Sequence, residues 1–147
     1  MVKEDYPTVD DVKLEKVGPV HTGNKKARTT WRLNVHRFVQ DGIYFERDPE
    51  DEVGNHYHPR TPDKDPEKFF LLSGKMEFWF KDVHGGYRTC SLDAADGKIY
   101  LEIPPYVLHG IRVMTHAIYI EFASEPYDPA HTKSEADFQA LVESFAE

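Results

Sequence analysis

Two imidazoles stand two residues apart in Gly54-Asn55-His56-Tyr57-His58. On an extended strand, residues i and i+2 share a face, so His56 and His58 aim together and Tyr57 points the other way. Two converging imidazoles can bind a divalent metal, and a carboxylate from a neighbouring strand adds a hard third ligand. Glu67 stands where such a strand would begin, directly after a connector that contains Pro59, Pro62 and Pro66. A fourth ligand has to come from elsewhere, and His109 follows Pro104-Pro105 at the start of a later apolar run. Three histidines and one carboxylate suit zinc, iron(II), manganese or nickel, and residue type alone does not choose among them.

The elements that must hold these groups read as strands. Residues 29–38 alternate, with Trp31, Leu33 and Val35 on one side and Arg32, Asn34 and His36 on the other. The Trp31 side reads as core, which leaves the His36 side to solvent. Residues 42–46 form a second expected strand. Runs 68–72 and 75–80 flank Ser73-Gly74, which reads as a hairpin turn, and His84-Gly85-Gly86 marks the next turn. Residues 99–103, 109–113 and 117–122 continue the series, and its regular short spacing argues for an all-β sandwich or barrel. The period then changes. Phe138, Leu141, Val142 and Phe145 fall at i, i+3, i+4 and i+7, one apolar helical face, with Thr132 and Glu135 as a capping box before it.

Composition narrows the function classes. The chain has 147 residues, 39% hydrophobic and 30% charged, with a net charge of -8. That length fits one domain, residues 1–147, with a barrel core over about 28–125 and a C-terminal helix over about 133–146. A chain this acidic is repelled by nucleic acid and anionic membranes unless a basic patch intervenes. Lys25, Lys26, Arg28, Arg32 and Arg37 form the one basic cluster, too small for a nucleic-acid footprint but large enough for a phosphate. No apolar run is long enough to span a bilayer, and the N-terminus lacks the apolar stretch of a secretory signal. The single cysteine, Cys90, forbids an intrachain disulfide and fits a reducing cytoplasm. His21, His84, His116 and His131 are assigned no role. Tyr44, Tyr100, Tyr106 and Tyr119 could line a pocket, with aromatic packing the preferred reading.

In these motifs the sequence resembles the cupin superfamily. The first cupin motif, G-x5-H-x-H-x3-4-E-x6-G, is matched by His56-x-His58 and by Glu67-x6-Gly74; eight residues separate His58 from Glu67, which reads as a loop insertion. The second, G-x5-P-x-G-x2-H-x3-N, is matched by Pro104 and His109, with Tyr106 at the glycine position and Val113 at the asparagine. A narrower likeness covers residues 50–129. GNHYH, EKFFLLSGK, EIPPYVLHGI and FASEPYDP look like the C-terminal cupin domain of capsular-polysaccharide sugar-nucleotide enzymes, a zinc-containing domain that epimerises a keto-sugar nucleotide. The partnering dehydrogenase half has no counterpart here, because no G-x-G-x-x-G follows a strand.

The resemblance implies a cupin double-stranded β-helix, a jelly-roll barrel, with a divalent metal (zinc favoured) held by His56, His58, Glu67 and His109 near one mouth. It implies isomerisation or epimerisation of a keto-sugar or sugar nucleotide, part of polysaccharide biosynthesis. A Lewis-acid metal would polarise the ketone, and Glu67 or a pocket histidine or tyrosine would move the proton. The same ligand set serves iron-dependent dioxygenases and non-catalytic sugar-binding or sensor cupins, and both readings stay open. Glu67 shares parity with Phe69 and Leu71, which turns its carboxylate toward an apolar interior where a cation is the expected partner. A homodimer that covers a sheet edge or an outer sheet face, using residues 12–20, is expected because bare edges invite pairing.

Overall fold

Apolar residues that repeat with period two build most of the fold. The computed structural model describes residues 2–17, 19–22, 29–31, 41–61, 66–123 and 128–146. Its strands are β1 (Lys13–Val17), β2 (Pro19–Thr22), β3 (Thr29–Trp31), β4 (Asp41–Arg47), β5 (Glu52–Tyr57), β6 (Glu67–Ser73), β7 (Lys75–Lys81), β8 (Tyr87–Asp93), β9 (Lys98–Ile103), β10 (Leu108–Val113), β11 (Ala117–Ala123) and β12 (Lys133–Ser134). One helix, α1 (Glu135–Glu143), follows them among the described residues.

Two five-stranded antiparallel sheets face each other. The first runs β1-β9-β6-β11-β4 and the second β12-β5-β10-β7-β8, while β2 and β3 pair apart from both. Between the sheets lies the core. Phe69 and Leu71 of β6 and Ile99, Leu101 and Ile103 of β9 meet Met76, Phe78 and Phe80 of β7 and Ile111 and Val113 of β10. These positions alternate with residues of the other face, and there Phe70 and Tyr100 are buried with Val17 in a second cluster. The arrangement is the expected jelly roll.

Ser73-Gly74 is not a hairpin. β6 pairs with β9 and β11, whereas β7 pairs with β10 and β8, so the chain changes sheet at this point. Gly74 takes φ 91°, and a Cβ there would approach the Ala117 Cα to 2.7 Å. Such a corner needs a glycine as much as a hairpin does, which is why the dipeptide signals both. The turn at His84-Gly85-Gly86 does join paired strands, with Lys81 opposite Tyr87.

Other expectations shift. Of the strand expected at 29–38, the structure describes residues 29–31 as β3; residues 32–40, with His36, lie outside the described residues, as do Lys25, Lys26 and Arg28. The helix begins at Glu135 and its capping box is Ser134 with Asp137, not Thr132 with Glu135. The Ser134 hydroxyl accepts from the Asp137 N–H at 3.1 Å, and the Asp137 carboxylate accepts from the Ser134 N–H at 3.0 Å. The delay has a cause: Lys133 and Ser134 first pair with Tyr57 and His56 of β5. Phe138 is then buried against Tyr57, Val83 and Leu108, with Leu141, Val142 and Phe145 packed around it. Residues 13–17 form the edge strand of the first sheet, paired on one side with β9.

Candidate metal centre and cavity

The histidine wall starts from an irregularity. His56 pairs with His109, but Gly54 already pairs with Gly110, so Asn55 is an extra residue in β5. This β-bulge reverses the strand's parity, and Val53 and His56 both face the interior although three positions separate them. Gly54 and Asn55 carry the bulge at φ 114° and 55°. A Cβ on Gly54 would lie 2.6 Å from the Gly110 Cα, so glycine is required on packing grounds too. On the outer face, the Trp79 indole N–H donates to the Asn55 amide oxygen at 3.0 Å. Trp79 reaches it by lying over Gly110, where any side chain would collide with the ring. Trp79, Gly110 and Asn55 thus set the aim of His56 from behind the sheet.

Backbone carbonyls orient the other two imidazoles. His58 Nδ1 lies 2.8 Å from the His131 carbonyl, and His109 Nδ1 lies 3.0 Å from the Val107 carbonyl. A carbonyl only accepts, so both Nδ1 atoms carry the proton and each Nε2 is left to face inward. The turn before His109 solves a local problem. Tyr106, at the position where the cupin motif has glycine, adopts φ 65°. Its N–H donates to the His58 carbonyl at 2.8 Å, and its ring packs against Tyr6 with centroids 4.7 Å apart. Those contacts hold a left-handed residue that would ordinarily cost about 1 kcal/mol or more.

Glu67 comes from the opposite sheet and completes the cluster. Its carboxylate is ion-paired with His58 Nε2 and lies 3.4 Å from His109 Nε2. Burial pushes the Glu67 carboxyl up, but His58 and His109 outweigh it and hold the group well below the usual carboxylate range. The rings of His56 and His109 are 4.6 Å apart and those of His56 and His58 4.9 Å. One donor atom from each of His56, His58, Glu67 and His109 lies within 4.8 Å of the others. All four residues singled out in the sequence therefore meet, despite the long connector before Glu67.

The donor set fits a divalent cation. His109 Nε2 is buried and makes no well-formed hydrogen bond, its contact with Glu67 being 3.4 Å, and a cation would give it a partner. Three imidazole nitrogens and a carboxylate are borderline-to-hard donors of the kind that zinc and its first-row neighbours take.

The cluster opens into a cavity of about 440 Å3 between the β4 and β5 sides of the two sheets. Its first-sheet wall holds Arg47 and Glu121, which the sequence reading did not assign, and Tyr119, which that reading favoured as aromatic packing, with Ile43, Phe45 and Phe69 between them. The signal was available in β11. Ala117, Tyr119 and Glu121 share one parity, and two of the three are not the small apolar residues of a packed interior. Burial raises the Tyr119 hydroxyl above its ordinary pKa; Arg47 opposes that rise, and Glu121 and Glu67 add to it. Thr132 also lines the cavity, and the neighbouring His131 carbonyl anchors His58. His131 was assigned no role, because a main-chain contact leaves no trace in residue type.

No family model and no curated protein sequence matches the chain. Solved structures do. The sugar 3,4-ketoisomerase QdtA from Thermoanaerobacterium thermosaccharolyticum, in complex with TDP, superposes with a TM-score of 0.72 at 16% identity, covering 92% of this chain and 97% of that one. The dTDP-4-dehydrorhamnose 3,5-epimerase from Sulfolobus tokodaii gives 0.66 at 20% identity over 88% and 80%. The capsular polysaccharide assembling protein CapF from Staphylococcus aureus gives 0.54 at 24% identity, over 66% of this chain and 26% of that one. The chain has the cupin jelly-roll fold. Within that fold His56, His58, Glu67 and His109 gather into one cluster, the last three of them buried.

Proposed function

We propose that this chain is a metal-dependent isomerase or epimerase of a keto-sugar, carried as a sugar nucleotide. The observation that supports it most is the His56, His58, Glu67 and His109 cluster on the wall of a cavity large enough for a sugar. The fold it shares with QdtA and the 3,5-epimerase agrees with this reading. His56, His58 and His109 through imidazole nitrogen, with Glu67 through one carboxylate oxygen, would hold the cation. A bound divalent cation would supply Lewis-acid polarisation of a ketone oxygen.

The chain's own residues do the rest. The second oxygen of Glu67, held in the cluster, takes the proton from the carbon beside the ketone. Returning that proton to the former ketone carbon, while the hydroxyl on the first carbon gives up its own proton, moves the carbonyl; delivery of a proton from the opposite face of the first carbon by another donor inverts the centre. Tyr119, kept protonated by burial, faces the same space and donates to the oxygen on which charge develops. Phe45, Ile43, Phe69 and Ile111 exclude water from the reacting carbons.

The test is solvent exchange. TDP-4-keto-6-deoxyglucose incubated in D2O with zinc-loaded protein should gain deuterium at a carbon beside the ketone, as NMR reads it. Chelation of the metal should abolish the gain. Absence of exchange with zinc, manganese, nickel or iron would overturn the catalytic reading and leave a sugar-binding cupin; oxygen uptake by the iron form would favour the dioxygenase.

A further inference from the structure

One turn joins two of the candidate ligands, and it is built on a residue that glycine would replace more easily. Tyr106 holds φ 65°, a conformation that glycine adopts freely and that a side chain bearing a Cβ keeps only when its surroundings enforce it. The Tyr106 N–H donates to the His58 carbonyl at 2.8 Å. The next residue, Val107, offers the carbonyl that accepts from His109 Nδ1 at 3.0 Å. Two adjacent residues therefore fix two histidines. Relaxation of Tyr106 to negative φ would turn its N–H from His58 or displace Val107, and either change loosens an imidazole.

The contact that opposes this relaxation comes from the N-terminal segment. The rings of Tyr6 and Tyr106 meet edge to face, with centroids 4.7 Å apart and planes at 68°. On its other side Tyr6 meets Phe145, beyond the end of α1, at 5.1 Å and 74°. Tyr6 is itself fixed. Its carbonyl accepts from His84 Nε2 at 2.9 Å, and a little further on the Val9 N–H donates to the buried Asp82 carboxylate at 2.8 Å. Neither Tyr6 nor Tyr106 is among the residues lining the cavity, so neither touches a molecule bound there. We propose that Tyr6 is a positioning residue for the metal centre, acting through Tyr106 on His58 and His109. This rests on the metal-dependent function proposed above and gives that site a brace outside the cavity.

Zinc affinity, read by competition with a chromophoric chelator, tests this series of contacts. Tyr6→Ala should weaken zinc binding roughly 10-fold, as loss of a support behind a ligand does. Tyr6→Phe keeps the ring and should match wild type. Tyr6→Leu, which fills space but presents no ring edge, should show a loss of the same sign, and it serves if truncation to alanine unfolds the chain. In a Tyr106→Gly background the turn needs no brace, so adding Tyr6→Ala should leave zinc affinity where Tyr106→Gly put it. A merely structural Tyr6 would give the same loss in both backgrounds. In metal-free protein the His109 Nδ1 proton should exchange with solvent several-fold faster in Tyr6→Ala than in wild type, as proton–nitrogen NMR of the imidazoles reads it. Equal zinc affinity of wild type and Tyr6→Ala, or an equal loss in both backgrounds, overturns the proposal. Wild-type protein that takes up no zinc or other divalent cation overturns the metal-dependent reading instead. The NMR then decides: faster exchange in Tyr6→Ala upholds Tyr6 as the residue that positions the histidines, and unchanged exchange overturns it.

Discussion

Two carboxylates are buried to nearly the same degree, Asp82 at 4% exposure and Glu67 at 3%, and they do different work. Asp82 lies beside the β7–β8 turn and accepts three main-chain N–H groups, from Val9 at 2.8 Å, His84 at 2.9 Å and Gly86 at 2.8 Å. Those donors close the turn and pin the N-terminal segment across it, with Arg88 donating to the Val9 and Val12 carbonyls from the same side. Glu67 lies on the opposite, open side, and its described partners are the side chains of His58 and His109. Backbone donors cannot leave and cannot change protonation. Imidazoles can do both, and can share a carboxylate with a cation. Burial does not tell these two carboxylates apart; their partners do.

The sharpest break of that contrast removes the histidines. A His56→Ala/His58→Ala protein should lose nearly all bound divalent metal by elemental analysis and still melt cooperatively, because the Phe78–Phe80–Leu101 core is independent of the site. Stoichiometric metal in the double variant would place the ion elsewhere.

Exchanging the two carboxylates in turn should separate stability from binding. Asp82→Ala strands three donors and should cost about 3 kcal/mol, a fall in Tm of roughly 10 °C, with metal content unchanged. Glu67→Gln should weaken metal affinity by about 100-fold and leave the denaturation midpoint within about 1 kcal/mol of wild type. A reversal of either result would merge the two sites into one class.

Trp79→Phe keeps the ring over Gly110 but deletes the bond to Asn55. It should cost about 1 kcal/mol and slacken His56, which would show as a several-fold loss of metal affinity. Trp79→Phe with unchanged affinity would make the bulge self-sufficient.

Asp137 extends the contrast to the surface. It is exposed, yet the Ser134 N–H and hydroxyl hold its carboxyl below the usual range. A group whose pKa is depressed on folding stabilises above its unfolded value of about 3.9 and loses that contribution as pH falls through the folded value. The helical chemical shifts of residues 135–143 should therefore decay on acidification below about pH 4, and Ser134→Ala should flatten the response.

The regular short spacing of β-forming runs, 68–72, 99–103 and 109–113 among them, made the sandwich legible, because turn residues punctuate each strand whatever its partners are. The spacing of His56 and His58 and the parity of Glu67 with Phe69 likewise foretold which way those side chains point. Ser73-Gly74 was misread for a physical reason: a hairpin and a sheet-to-sheet corner demand the same glycine, and they differ only in which strands bond. The helix start moved for a similar reason, since two boxes of equal local quality compete and pairing of Lys133 and Ser134 with β5 selects the later one.

By itself, then, the sequence determined what is local: strand parity, the apolar face of α1, and the side-chain chemistry at His56, His58, Glu67 and His109. Only the tertiary structure decided what is shared between distant segments. It brought the His131 carbonyl, 73 positions from His58, against His58 Nδ1. It also set Trp79 behind the β5 bulge and placed Arg47, Tyr119 and Glu121 on one wall of the cavity. Those contacts rest on register and on sheet order, which are free energies of the whole chain and are written in no single stretch of it.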